Sequence, residues 1–221
     1  MAFRRRLPLI LLVAAVAGCG GGKKTIPNQL PPGSTDGDGC VAIATTPNPE
    51  KRSAPKPTKR LDASKTYDVH FFTNCGTFTI RLDVRTSPAT TASFASLVQR
   101  HFFDHTIFHR IVPGFVVQGG DPTGTGTSGP GYSTVDPVPK SAKYTLGVVA
   151  MAKTQREKAG TAGSQFFIVT TKNANLPPLY AILGKVVEGI DNVERIGQLG
   201  DANTGSPVRL VEIQRVTLDV H

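Results

Sequence analysis

A chain of 221 residues with 39% hydrophobic and 7% aromatic content holds enough apolar material for one ordinary core plus extensions. Its formal charge of +9 is unevenly placed: from Lys65 onward 15 basic residues face 12 acidic ones, while residues 1–18 hold three arginines and no acid. The folded part is therefore near neutral, and with no basic stripe, helix-turn-helix or zinc pattern, nucleic-acid binding is excluded.

Arg4, Arg5 and Arg6 precede LPLILLVAAVA, a charged segment followed by an apolar run too short to span a bilayer comfortably. That is the pattern of a secretory signal. Val16-Ala17-Gly18-Cys19 comes next and resembles the lipobox of bacterial lipoproteins, in which small residues admit the peptidase and the thiol accepts lipid. The expectation is a signal peptide over 1–18, lipidation of Cys19, and an extracytoplasmic, membrane-anchored protein in the cell envelope. A plain signal peptide cleaved near Ala17, leaving Cys19 free, is the alternative. Residues 19–64 are rich in Gly, Pro, Lys, Thr and Asp and show no period of 2 or 3.6, so they read as a disordered tether. Within it Lys51, Arg52, Lys56, Lys59 and Arg60 read as a solvated charge run that can lean on anionic lipid.

The folded domain is expected over 65–221. Tyr67 to Thr73 and Thr77 to Asp83 alternate around Asn74-Cys75-Gly76, which predicts a hairpin with a glycine at a positive φ. Ser87 is placed to cap, and Pro88 to open, a helix reaching about Arg100, with Phe94, Leu97 and Val98 as its apolar stripe. His101, His105 and His109 are spaced i, i+4, i+8, but Asp104 to Phe108 turns to strand residues, so no metal site is expected. Gly124-Thr-Gly126-Thr-Ser-Gly129 fits a dinucleotide-binding pattern, yet Pro130-Gly131 follows where a helix would have to start, and a nucleotide site is rejected. Strands are read at 146–152, 165–169, 181–186 and 209–219, and a short helix at 190–196. This succession predicts a mainly β fold, a closed antiparallel barrel capped by two α-helices.

One stretch carries more than fold. Phe108-His109-Arg110-Ile111-Val112-Pro113-Gly114-Phe115-Val116-Val117-Gln118-Gly119-Gly120-Asp121 reads as strand, tight turn and strand running into a glycine-rich loop. Together with Ala162-Gly163-Ser164-Gln165-Phe166-Phe167-Ile168 downstream, it closely resembles the signature of the cyclophilins, the peptidyl-prolyl cis-trans isomerases. The resemblance implies the eight-stranded barrel, no cofactor, and a peptide groove formed by Arg110, Phe115, Val116, Gln118, Ala152, Lys153, Phe167, Leu176 and Tyr180, with His109 beside it.

Those residue types suit a reaction that needs no nucleophile. Rotating an X-Pro bond means crossing a barrier of about 18–20 kcal/mol, and the twisted state returns a lone pair to the proline nitrogen. Arg110 is a rigid cationic donor able to hold the substrate carbonyl and donate toward that nitrogen. Phe115, Val116, Phe167 and Leu176 offer an apolar seat for the ring, and Gln118 and the Lys153 backbone can fix flanking peptide groups. The resemblance thus makes Arg110, Gln118 and Phe115 catalytic, and His109, Val116, Ala152, Lys153, Phe167, Leu176 and Tyr180 substrate-binding.

The chain departs from the family in places. Asn175 stands where many cyclophilins have a tryptophan at the rim and Val116 where many have methionine, which implies weak binding of the cyclic peptide cyclosporin. Residues 153–163 are about three longer than the common eukaryotic pattern and resemble a bacterial subgroup. With Cys19 lipidated, Cys40 and Cys75 remain as an even pair in an oxidising compartment, and a disulfide between them is expected, two free thiols being the alternative. The expected partners are proline-containing segments of secreted or envelope proteins, with the membrane reached through Cys19 and the protein a monomer. A non-catalytic module holding proline peptides in the same groove is the second reading.

Overall fold

The structure is a computed structural model that describes residues 34–35, 37, 39–43 and 47–221. The expected signal peptide and Cys19 lie outside the described residues. The elements in chain order are β1 (Tyr67–Thr73), β2 (Gly76–Leu82), α1 (Pro88–Gln99), β3 (Thr106–Ile107), β4 (Arg110–Val112), β5 (Val116–Gly119), β6 (Thr134–Val135), β7 (Val148–Met151), β8 (Thr161–Ala162), β9 (Phe166–Val169), β10 (Ile182–Glu188), α2 (Ile190–Ile196) and β11 (Glu212–Val220). Strands β1 and β2 pair antiparallel around the Asn74-Cys75 turn, where Gly76 takes φ +105°, a region that side chains with a Cβ rarely occupy.

Nine strands form one antiparallel sheet in the order β3-β11-β1-β2-β10-β7-β9-β5-β4, and β6 pairs with β8 separately. The sheet curls around a core in which Phe166 meets Phe94, Phe103 and Phe108 edge-on at 5.5, 6.1 and 6.2 Å between ring centroids. Phe71 and Phe78 stack at 4.8 Å across the β1/β2 ladder. A second apolar cluster of Val116, Tyr144, Ala150, Phe167 and Val169 covers the outside of β5, β7 and β9. These strands are buried on both faces, which is why Phe166 to Val169 is an unbroken apolar run instead of an alternating one.

Two expectations are corrected. The barrel does not close as eight strands: the nine-stranded ladder ends at β3 on one side and β4 on the other, leaving a strongly curled open sheet. The reason is local. The free edge of β4 is taken by the 200–205 loop, where Ile111 donates to the Gly205 carbonyl at 2.9 Å. The helix cap also comes from elsewhere: Ser87 makes no side-chain cap bond to α1. The Asp136 carboxylate instead accepts from the amides of Ala89 at 3.1 Å and Thr90 at 2.7 Å, filling the position that favours an anion at a helix start.

The segment upstream of the domain also departs from a free tether. From Pro47 onward it lies along the domain: Arg52 Nη1 donates to the carbonyls of Phe102 and Asp104 at 2.8 Å each, and Ala54 packs against the main core. Farther upstream, Cys40 and Cys75 are joined by a disulfide. Beside it Val41 donates to the Asn74 carbonyl at 2.7 Å, and Asn74 Nδ2 donates to the Val41 carbonyl at 2.9 Å. The attachment uses irregular contacts to backbone carbonyls, which leave no periodic trace in the sequence.

Candidate functional site

The site grows out of sheet register. Across β4, β5 and β9, Arg110 lies opposite Gln118 and Gln118 opposite Phe167, and Phe167 continues to Ala150 on β7. One row of cross-strand neighbours therefore places a cation, an amide and an aromatic ring on the same face. The next row, Val112, Val116 and Val169, supplies apolar floor.

On this face Arg110, Phe115, Val116, Gln118, Ala152, Lys153, Phe167, Leu176 and Tyr180 line one pocket of 190 Å³. Phe167 meets Tyr180 edge-on at 5.4 Å, and Tyr180 is held by Tyr144, whose hydroxyl donates to the Tyr180 carbonyl at 2.7 Å and accepts from its amide at 3.0 Å. Burial raises the Tyr144 phenol above its ordinary value. Gly205, at φ +70°, lets its loop pass close to Arg110: a Cβ there would sit 3.5 Å from Arg110 Cγ.

The polar groups run in series. Arg110 Nη1 donates to Gln118 Oε1 at 3.5 Å, Gln118 Nε2 to Gln165 Oε1 at 3.2 Å, and Gln165 Nε2 to the Ser128 carbonyl at 3.0 Å. Gln165 is absent from the residues expected at the site, although it stands two positions before Phe167, and a period of two would have found it. Lys153 turns away: its Nζ donates to the carbonyls of Thr154 and Glu157, both at 3.0 Å, and lies 5.8 Å from the Tyr180 ring centre. That leaves Arg110 as the lining cation directed at the pocket.

The glycine-rich loop after β5 is held by Asp121, whose carboxylate accepts from the Thr123 amide and hydroxyl, both at 2.8 Å, and from the amides of Thr127 at 2.9 Å and Ser128 at 3.2 Å. Burial works to raise its pKa, but these hydrogen bonds prevail and hold it below the usual carboxylate range. Loop amides that a phosphate would need are already donating to this internal anion.

His109 is not part of the groove lining, which corrects its expected place there. Consecutive residues of an extended chain face opposite ways, so the residue before Arg110 turns toward the loop, near Gly126. Both its ring nitrogens are shielded and without a hydrogen-bond partner. The other two histidines of the spaced triplet sit in turns at φ +56° and pair separately, His101 with Asp104 and His105 with Glu212, each at 2.9 Å. Asn175 is exposed beside Leu176 at φ +52°, a left-handed conformation that asparagine tolerates and tryptophan resists.

His109 has a measurable consequence. Burial lowers its pKa below the ordinary 6.5, Arg110 adds to the effect and Asp121 opposes it. Above pH 6.5 the ring is neutral whether folded or unfolded; below it, the unfolded chain takes up a proton that the folded chain refuses. Stability should therefore fall as pH drops from 6.5 to the depressed folded value and then level off. His109→Gln should flatten the pH dependence of Tm in that window, and equal slopes in the two proteins would remove His109 as its source.

The pocket is thus lined by an arginine, an amide, a lysine and apolar or aromatic side chains. The family model described as cyclophilin type peptidyl-prolyl cis-trans isomerase/CLD matches residues 68–218. Peptidyl-prolyl cis-trans isomerase CYP18-2 of Arabidopsis thaliana is 38% identical over 152 residues, covering 67% of this chain and 91% of its own length. Peptidyl-prolyl cis-trans isomerase-like 1 of Aspergillus fumigatus is 39% identical over 152 residues, covering 67% of this chain and 92% of its own. A crystal structure of a Cryptosporidium parvum cyclophilin type peptidyl-prolyl cis-trans isomerase, in the presence of the dipeptide Ala-Pro, aligns with a TM-score of 0.63 and 29% identity, over 69% of this chain and 98% of that one. The chain belongs to the cyclophilin-type peptidyl-prolyl cis-trans isomerases. These relatives are eukaryotic and lend no support to a bacterial lipoprotein form.

Proposed function

We propose that the 190 Å³ pocket seats the pyrrolidine ring of an X-Pro segment against Phe115, Val116, Phe167 and Leu176, and that Arg110 stabilises the twisted imide. The observation that carries this reading is the shared row of Arg110, Gln118 and Phe167 on one face of the sheet. Planar substrate offers Arg110 only a carbonyl oxygen; as the bond rotates, the nitrogen becomes pyramidal and gains an acceptor lone pair. An interaction strengthened in the twisted state lowers the barrier, whereas equal binding of both states would not raise kcat. Gln118, oriented by Gln165, holds the neighbouring peptide group. The test is an exchange assay on a proline tetrapeptide with purified protein: the reading requires acceleration over the spontaneous rate, and binding without acceleration overturns it.

The proposed clients are exported proteins outside the cytoplasmic membrane, with the domain anchored through lipid on Cys19. Two features support this: the Arg4–Arg6 and apolar leader ending at Cys19, and the Cys40–Cys75 disulfide, a bond at home in oxidising compartments. Cys19→Ser should move the protein from the membrane to the soluble fraction. Mass spectrometry finding Cys19 unmodified in mature protein would overturn the anchor.

A further inference from the structure

The pocket that seats the ring is continuous with a larger polar chamber. Gln118, Ala152 and Lys153 line both, and the chamber, 630 Å³ in volume, has residues 126–133 of the glycine-rich loop as its outer wall. The first half of that wall is held from within by Asp121, through the amides of Thr127 and Ser128. The second half, Gly129-Pro130-Gly131-Tyr132-Ser133, has no such internal carboxylate. Tyr132 is tied to α1 through its hydroxyl and Ser93 Oγ at 3.0 Å, and the Pro130 and Ser133 carbonyls accept from the segment upstream of the domain.

That segment crosses the outside of the wall as a strap. Glu50 donates its amide to the Pro122 carbonyl at 3.2 Å, Ala54 its amide to the Pro130 carbonyl at 3.0 Å, and Lys56 Nζ donates to the Ser133 carbonyl at 2.8 Å. Arg52, between them, is the rivet: besides its ion pair with Glu50 at 3.3 Å, it donates to the Phe102 and Asp104 carbonyls in the turn after α1. The strap is thus fastened to the rigid body at Arg52 and to the loop on either side of it. Ser128, whose carbonyl orients Gln165, belongs to the half of the wall held by Asp121, so the series through Gln165 and Gln118 to Arg110 does not hang on the strap.

We propose that residues 50–56 are a positioning element of the isomerase, a strap that sets the outer wall of the chamber and so determines how tightly the residues flanking the proline are held. Arg52 and Lys56 are positioning residues in this scheme; neither lines the ring pocket or the chamber. The ring pocket stands on β4, β5 and β9, whose ladders do not involve the strap, so its chemistry is expected to survive loss of the strap while the grip on longer peptides is not. The inference rests on the reading of the groove given above, and the substrates for the test are chosen to separate the two.

The test compares full-length wild type with Arg52→Met/Lys56→Met, which keeps the aliphatic stems and removes the donors, on two substrates. One is a blocked Ala-Pro dipeptide, sized for the ring pocket; the other is a peptide extended by several residues on both sides of the same Ala-Pro. The expected result is kcat/KM within about twofold of wild type on the dipeptide, and on the extended peptide a KM raised about fivefold or more with kcat little changed. Hydrogen exchange should quicken at amides 124–133 and stay slow in the core strands. Lys56→Arg alone should behave as wild type. Equal losses on both substrates, or an unchanged KM on the extended peptide, overturns the strap; failure of wild type to accelerate the dipeptide overturns the reading of the groove instead. Should the double variant not fold, Lys56→Met alone is subject to the same two outcomes.

Discussion

Arg110→Ala is expected to lower kcat/KM on a proline peptide by about 100-fold or more while leaving Tm close to that of wild type. The size follows from the chemistry: a single donor aimed at charge that develops only in the transition state is typically worth about 3 to 4 kcal/mol, and each 1.4 kcal/mol or so is a tenfold change in rate. The small effect on stability follows from position. Arg110 is half-buried at the edge of a groove, and its side-chain hydrogen bond to Gln118 is long, at 3.5 Å. Arg110→Lys should recover part of the rate, since a point charge replaces a fork of donors. Wild-type turnover in the alanine variant, with Tm unchanged, would remove Arg110 from the mechanism.

Replacing both half-cystines, Cys40→Ala with Cys75→Ala, should bring the largest loss of stability. The bond closes a loop spanning a sequence separation of 35. Cross-linking such a loop removes unfolded-state entropy worth about 3–4 kcal/mol, which for a domain of this size corresponds to a fall in Tm of roughly 10 °C. The backbone bonds between Val41 and Asn74 remain in the variant, so the segment should stay docked at low temperature and leave first on heating. Calorimetry of the variant, beside wild type with and without reductant, checks this. Superimposable melting curves would mean that the cross-link constrains nothing.

Much of the groove could be read from the chain because its motifs resemble the cyclophilin signature; a short hairpin and strand alternation then put Arg110, Val116 and Gln118 on one face, and the pairing of β5 with β9, about fifty positions on, adds Phe167. What escaped was long-range. The anion at the start of α1 comes from Asp136, 46 and 47 positions from the amides it caps, so no local motif could reveal it, and Ser87 was the natural local candidate. Closure of the sheet depended on which partner takes the edge of β4, and a loop some ninety residues away does so. His109 was placed in the groove by adjacency to Arg110, although alternation sends neighbours to opposite sides. Residues 47–64 lack hydrophobic periodicity because they are held by scattered donors to carbonyls, which composition reads as disorder.

The hold of Asp121 on the loop after β5 bears on how substrate preference can change over evolutionary time. At Thr127 and Ser128 the carboxylate grips only main-chain N–H groups, which every residue but proline possesses, while both positions line the chamber beside the ring pocket. Shape and chemistry of this half of the wall are therefore encoded separately: one acid fixes its path through main-chain groups at 127 and 128, and the side chains at those two positions can change. A lineage can explore new clients by substitutions at 127 and 128 without passing through unfolded ancestors, provided Asp121 stays.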